Sequence, residues 1–97
     1  MIQHLVLFKL KPGIARDHPV VQQWMQMLPS MPDKIPQILE CTYGWNVTDR
    51  PIAVDFGMSS LFASVETLHE YLPAPYHQEM VALARQVSDW TICDFEL

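Results

Sequence analysis

Ile2-Gln3-His4-Leu5-Val6-Leu7-Phe8-Lys9-Leu10 is the stretch that decides how this chain folds. Lys11-Pro12-Gly13 follows it and reads as a turn. Alternate residues of a strand share a face, so Ile2, His4, Val6, Phe8 and Leu10 lie on one side. Gln3, Leu5, Leu7 and Lys9 lie on the other. An antiparallel strand with one face in water alternates apolar and polar residues. This strand does so poorly: Leu5 and Leu7 oppose Val6 and Phe8. Both faces therefore call for cover.

Working outward, Val20, Trp24, Met27, Leu28 and Met31 recur at helical spacing and predict a helix over residues 18–31. Pro19 suits its first turn, and Pro29 and Pro32 stop it. Residues 33–38 form a turn that returns Ile35 and Ile38 to the core. A second strand covers residues 38–47, where Gly44 suggests a bulge or a close backbone approach. After the loop Thr48-Asp49-Arg50-Pro51, a third strand spans residues 52–63 and includes Asp55, an unusual strand residue. Ser64 caps a short helix that ends at Pro73-Ala74-Pro75, and Pro75 opens another. Residues 89–96 are the last strand. The order is βαββαβ with the second α split, the ferredoxin-like α+β plan, whose four-stranded antiparallel sheet runs 4-1-3-2 with its helices on one face. Strands 2 and 4 are then opposite edges, and Cys41 and Cys93 stand too far apart to pair.

Helices on one face leave the other apolar face open, and such a patch marks an interface. A second copy packed sheet to sheet about a two-fold axis is the simplest cover. The alternative is a mildly apolar surface left in water.

The chain has 97 residues and is 49% hydrophobic, which fits one ordinary folded domain over residues 1–97. Its net charge is −5, and its six bases, Lys9, Lys11, Arg16, Lys34, Arg50 and Arg85, are scattered. That argues against nucleic acid and against an anionic membrane surface. No apolar run is long enough to span a bilayer, and Met1-Ile2-Gln3-His4 has no basic start, so no signal peptide is expected. Two cysteines without CxxC spacing give neither a disulfide framework nor a structural zinc site, so a reducing cytoplasm is the expected compartment. With three glycines and no phosphate-binding loop, no cofactor is expected.

Several segments together resemble the stress-responsive A/B barrel (Dabb) family over nearly the whole chain. They are His4-Leu5-Val6-Leu7-Phe8-Lys9-Leu10-Lys11, Gly44-Trp45-Asn46-Val47, Asp55, Phe62-Ala63-Ser64-Val65-Glu66-Thr67-Leu68, Tyr71-Leu72-Pro73-Ala74-Pro75-Tyr76-His77 and Asp94-Phe95. The resemblance implies a dimeric α+β barrel, with two sheets facing each other and helices outside. Many members of the family have no known activity, and some are linked to stress responses. Its plant polyketide cyclases of the olivetolic acid type use a histidine and a tyrosine for acid–base chemistry. The resemblance carries these roles to His77 and Tyr71, and a further pocket histidine to His4. Ala74 departs from the motif, which often has a histidine there, and this counts against the cyclase chemistry.

Read as residues, His77 falls in the first turn of a helix opened by Pro75, where the helix dipole disfavours imidazolium. A neutral imidazole is a competent base near neutral pH. The plain alternative is an inert histidine filling the helix start. Tyr71 can stabilise an enolate through its hydroxyl, or simply pack. His4 sits on an apolar face and needs a partner, which a ligand, His77 or a backbone carbonyl would supply. Phe8, Trp24 and Phe62 offer aromatic walls for a flat or apolar molecule, and the methionines would make those walls adaptable. Asp55 reads as half of an ion pair with Arg50 or a partner's base. A metal held by His4, His77 and Asp55 or Asp94 lacks any local ligand spacing, so none is expected; His18 and His69 read as surface residues.

Three functions follow. The first is a module binding a small apolar or aromatic molecule between sheet and helices. The second is a cofactor-independent cyclase or lyase with His77 as general base and Tyr71 as its aid. The third is a structural homodimer or interaction platform.

Overall fold

The computed structural model describes all 97 residues. Strands β1 (Ile2–Leu10), β2 (Glu40–Trp45), β3 (Phe56–Phe62) and β4 (Ser88–Glu96) form one antiparallel sheet in the order β2-β3-β1-β4. Helices α1 (Pro19–Met27), α2 (Met31–Lys34), α3 (Val65–Tyr71) and α4 (Pro75–Val87) complete the ferredoxin-like α+β fold. The layout matches the predicted order 4-1-3-2. β1 is central because it carries apolar residues on both faces.

Four boundaries moved, each for a local reason. The first helix stops at Met27, because Pro29 forces a 3-10 turn over Leu28–Ser30. Pro32 does not stop the chain; it sits in the first turn of α2, where its missing N–H costs nothing. β2 ends early because the Asn46 side chain folds onto Thr48, with Nδ2 donating to Thr48 O at 2.7 Å. β3 starts late because a turn at Arg50–Ala53 precedes it (Ala53 N–H to Arg50 O, 3.0 Å). Asp55 therefore lies before the strand. It makes no ion pair with Arg50; its Oδ2 accepts the Leu10 N–H at 2.7 Å and ties β1 to the start of β3.

Gly44 marks no bulge. Register runs unbroken from Glu40↔Leu61 to Trp45↔Phe56, with Gly44 opposite Gly57. The cysteines are free and on opposite edge strands, as the strand order requires. No helix is long and apolar enough to cross a membrane.

One face of the sheet packs on the helices. Ile2, His4, Val6 and Phe8 point into this layer, and none is more than 7% exposed. Phe8 packs edge-on to Trp24 at 4.7 Å between ring centroids, and Phe56 lies 5.6 Å from Trp24. Ile35 and Ile38 return to the core as their spacing predicts. The outer face carries Leu5, Leu7, Leu61 and Phe95 with Gln3, Ser59 and Thr42 between them, so it is mixed rather than uniformly apolar. Leu7 is 49% exposed and Phe95 40%.

α4 runs into β4 with no loop. The junction is tied by Ser88 Oγ donating to Ala84 O at 2.8 Å and by Lys11 N–H donating to Val87 O at 2.8 Å.

Candidate functional site

The helix break expected at Pro73-Ala74-Pro75 builds the site. Ser64 caps α3 reciprocally with Thr67, and α3 ends at Tyr71. Pro75 opens α4 with Ala74 as its cap residue, which places His77 in the first turn. The carbonyl of Leu72, left free by the break, accepts His77 Nδ1–H at 2.8 Å and Gln78 Nε2–H at 2.6 Å. Tyr71 and His77 are thereby drawn together, with ring centroids 4.1 Å apart. Beneath them on β1, His4 meets Tyr71 edge-on at 5.9 Å. His4 Nδ1 bonds the carboxylate of Asp94, its register partner on β4.

These contacts leave three polar atoms without a protein partner: the Tyr71 hydroxyl, His4 Nε2 and His77 Nε2. No fully buried polar side-chain atom lacks a partner. The three atoms therefore open onto the space beside them, a cavity of about 240 Å³ between sheet and helices. His4, Phe8, Trp24, Tyr71 and His77 all line it. Most of the remaining wall is apolar, including Val6, Met58, Met80 and Ala84. Leu72, Gln78, Arg85 and Ile92 are exposed and form its rim, which places the opening between α4 and β4.

Burial sets the protonation states. It lowers the His77 pKa, a trend the Leu72 hydrogen bond opposes and nearby His4 reinforces. His77 is thus held neutral at pH 7, with Nδ1 as donor and Nε2 as acceptor. Burial raises the Tyr71 hydroxyl far above its usual range, and the Cys41 thiolate, once formed at high pH, and the Asp94 carboxylate add to that. Tyr71 is therefore a hydrogen-bond donor at any working pH. The pair offers a proton acceptor and a proton donor side by side in a low-polarity space.

Phe62 is the exception among the aromatic wall residues expected from sequence. It does not line the cavity. It is fully buried one row further along the sheet, behind Tyr71 at 5.0 Å and edge-on to His4 at 6.1 Å, and it holds both rings in place. His18 is more than a surface residue, since its Nδ1 caps α1 by accepting Val20 N–H at 3.1 Å. No three His, Cys, Asp or Glu side chains are grouped as metal ligands, and Asp55 is engaged at the sheet. Met58, Met80 and Trp90 line the cavity as their residue types suggest, whereas sequence reasoning missed Asp94 as the partner of His4 and Ala84, Arg85 and Ile92 as wall. The strand order set β1 beside β4, but only the register reveals the His4–Asp94 pair.

The chain is thus a ferredoxin-like α+β domain with a pocket under a broken helix. The family model of the Stress responsive A/B Barrel Domain matches residues 2–97, and the chain belongs to that family. An uncharacterized protein of Streptomyces coelicolor is 41% identical over 96 residues, 99% of each chain. A dimeric ferredoxin-like protein of unknown function from Bacteroides fragilis superposes with a TM-score of 0.86 at 20% identity, covering 99% of this chain and 95% of that one. A hydroxynitrile lyase from Passiflora edulis superposes with a TM-score of 0.82 at 15% identity, covering 99% and 92%. At these identities the two structures share the fold.

Proposed function

We propose that this protein is a homodimer that binds a small, largely apolar or aromatic molecule in the cavity between sheet and helices. One observation carries the ligand reading: three unpartnered polar atoms, from His4, Tyr71 and His77, converge on an otherwise mostly apolar cavity of about 240 Å³. That combination is the usual composition of a small-molecule site. The homodimer rests on Leu5, Leu7, Leu61 and Phe95 left on the uncovered sheet face, and on the Bacteroides fragilis relative in fold being dimeric.

Calorimetric titration with para-phenylphenol tests the cavity. The parent binds it, and Ala84→Leu, which fills the cavity from α4, abolishes binding while circular dichroism stays unchanged. No binding by the parent, or undiminished binding by Ala84→Leu, overturns the reading and leaves the dimer as a structural platform.

A second reading is favoured by the neutral His77 beside the protonated Tyr71. His77 Nε2 takes a proton from carbon next to a carbonyl, the Tyr71 hydroxyl donates to the resulting enolate oxygen, and the proton returns from His77. Solvent deuterium entering the methyl group of a bound aryl methyl ketone, lost in His77→Gln, would support this cofactor-independent lyase or cyclase chemistry. Exchange no faster than in buffer excludes it.

A further inference from the structure

We infer that the cavity takes an elongated organic acid, with its carboxylate on Arg85 and a hydroxyl or carbonyl at the Tyr71–His77 end. The inference rests on the cavity-binding reading and adds the ligand's charge, length and direction.

Four observations support it. Arg85 is the only permanently charged residue lining the cavity, and no carboxylate lines it. An arginine in a chain of net charge −5 would be expected to find an acidic partner, yet Arg85 makes no ion pair. Asp89 and Lys11 are the charged groups that share its outer surface. Lys11 Nζ donates to the Arg85 carbonyl at 3.0 Å and adds positive charge there. Arg85 is also placed against a platform: its guanidinium carbon lies 5.8 Å from the centre of the Trp90 ring, which lines the same cavity. A single planar fork beside an aromatic face suits a planar carboxylate, which accepts two parallel hydrogen bonds.

The fourth observation is distance. His77 and Arg85 are eight positions apart on α4, which at 1.5 Å per residue is about 12 Å. On the sheet, His4 pairs with Asp94 and Phe8 with Trp90. Those rows are four residues apart, roughly 13 Å at 3.3 Å per residue. Helix and sheet thus agree on two polar ends separated by an apolar span formed by Val6, Met58, Met80 and Ala84. A compact acid such as a single-ring benzoate reaches one end only.

Calorimetry with two probes tests this. One is a biphenyl bearing a para carboxylate on one ring and a para hydroxyl on the other. The other is the same hydroxybiphenyl without the carboxylate. The parent is expected to prefer the acid by about fivefold, the upper range for an exposed ion pair, and to lose that preference as salt is added. In Arg85→Met the preference disappears; in Arg85→Lys part of it returns. An equal preference in the parent and Arg85→Met overturns the inference and leaves the cavity reading intact. Failure of the acid alone to bind the parent overturns the inference, and failure of both probes overturns the cavity reading with it.

Discussion

Tyr71 separates a structural role from a ligand-facing one within a single side chain. Its ring is buried, 4.1 Å from His77, 5.0 Å from Phe62 and 5.9 Å from His4 between centroids. Its hydroxyl bonds nothing in the protein. Removing only the hydroxyl, in Tyr71→Phe, should change stability by less than about 0.5 kcal/mol, because no native hydrogen bond is lost. Removing the ring, in Tyr71→Ala, opens a space among three aromatic neighbours and should cost about 3–5 kcal/mol. For a domain of this size, where 1 kcal/mol moves Tm by about 4–8 °C, the two variants differ by more than about 10 °C. Urea unfolding at fixed protein concentration reads both, with the m-value as the check that unfolding stays two-state. The same Tyr71→Phe protein should bind para-phenylphenol less tightly than the parent. A loss above about 2 kcal/mol in Tyr71→Phe would mean that the hydroxyl is already spoken for inside the fold, and its place in the site would fall.

His77 makes stability depend on pH in a definite direction. Burial lowers its folded pKa below the unfolded value of 6.5, so on acidification the unfolded chain takes the proton first and the native state loses ground. The stability advantage of the parent over His77→Gln should therefore shrink as pH falls below 6.5 and be constant above it; urea midpoints at several pH values give the answer, and a growing advantage refutes it. Leu7→Lys puts a charge at the centre of the outer face, so light scattering should report one chain mass in place of the parent's two. A parent already at 11.2 kDa would remove the reason for the dimer. Asp55→Ala leaves the Leu10 N–H unpaired and should cost about 1.5–3 kcal/mol in the same urea assay.

What the sequence made legible was whatever depends on periodicity and breakers. The proline positions located α1, the α3–α4 break and His77 in its first turn, and the βαββαβ order led to the sheet layout. Quantities that depend on register were not legible. Gly44 reads in sequence as a bulge or a close backbone approach, and it is neither, because its regular pairing with Gly57 and the open space beside it are visible only once β2 and β3 are aligned. In sequence Asp94 stands beside His4 only as a candidate metal ligand, and the hydrogen bond between the two side chains follows from the register of β1 and β4. Phe62 sits on the expected face of β3 but one row too far along, behind Tyr71 instead of beside the cavity. The cavity itself is empty space left by the height of α4 above the sheet, and no residue type encodes that.

The loopless junction of α4 and β4 bears on kinetics. Arg85 and Trp90 flank the opening from either side of Val87–Ser88, where two hydrogen bonds leave no slack. No hinge is available there to swing a lid. At this side of the opening, a ligand of the proposed site would pass by rotation of rim side chains, motions of ps–ns, rather than by segment opening on the μs–ms scale. Association should then proceed at ~10⁵–10⁷ M⁻¹s⁻¹ without a conformational lag, and differences among ligands will be expressed in how slowly they leave.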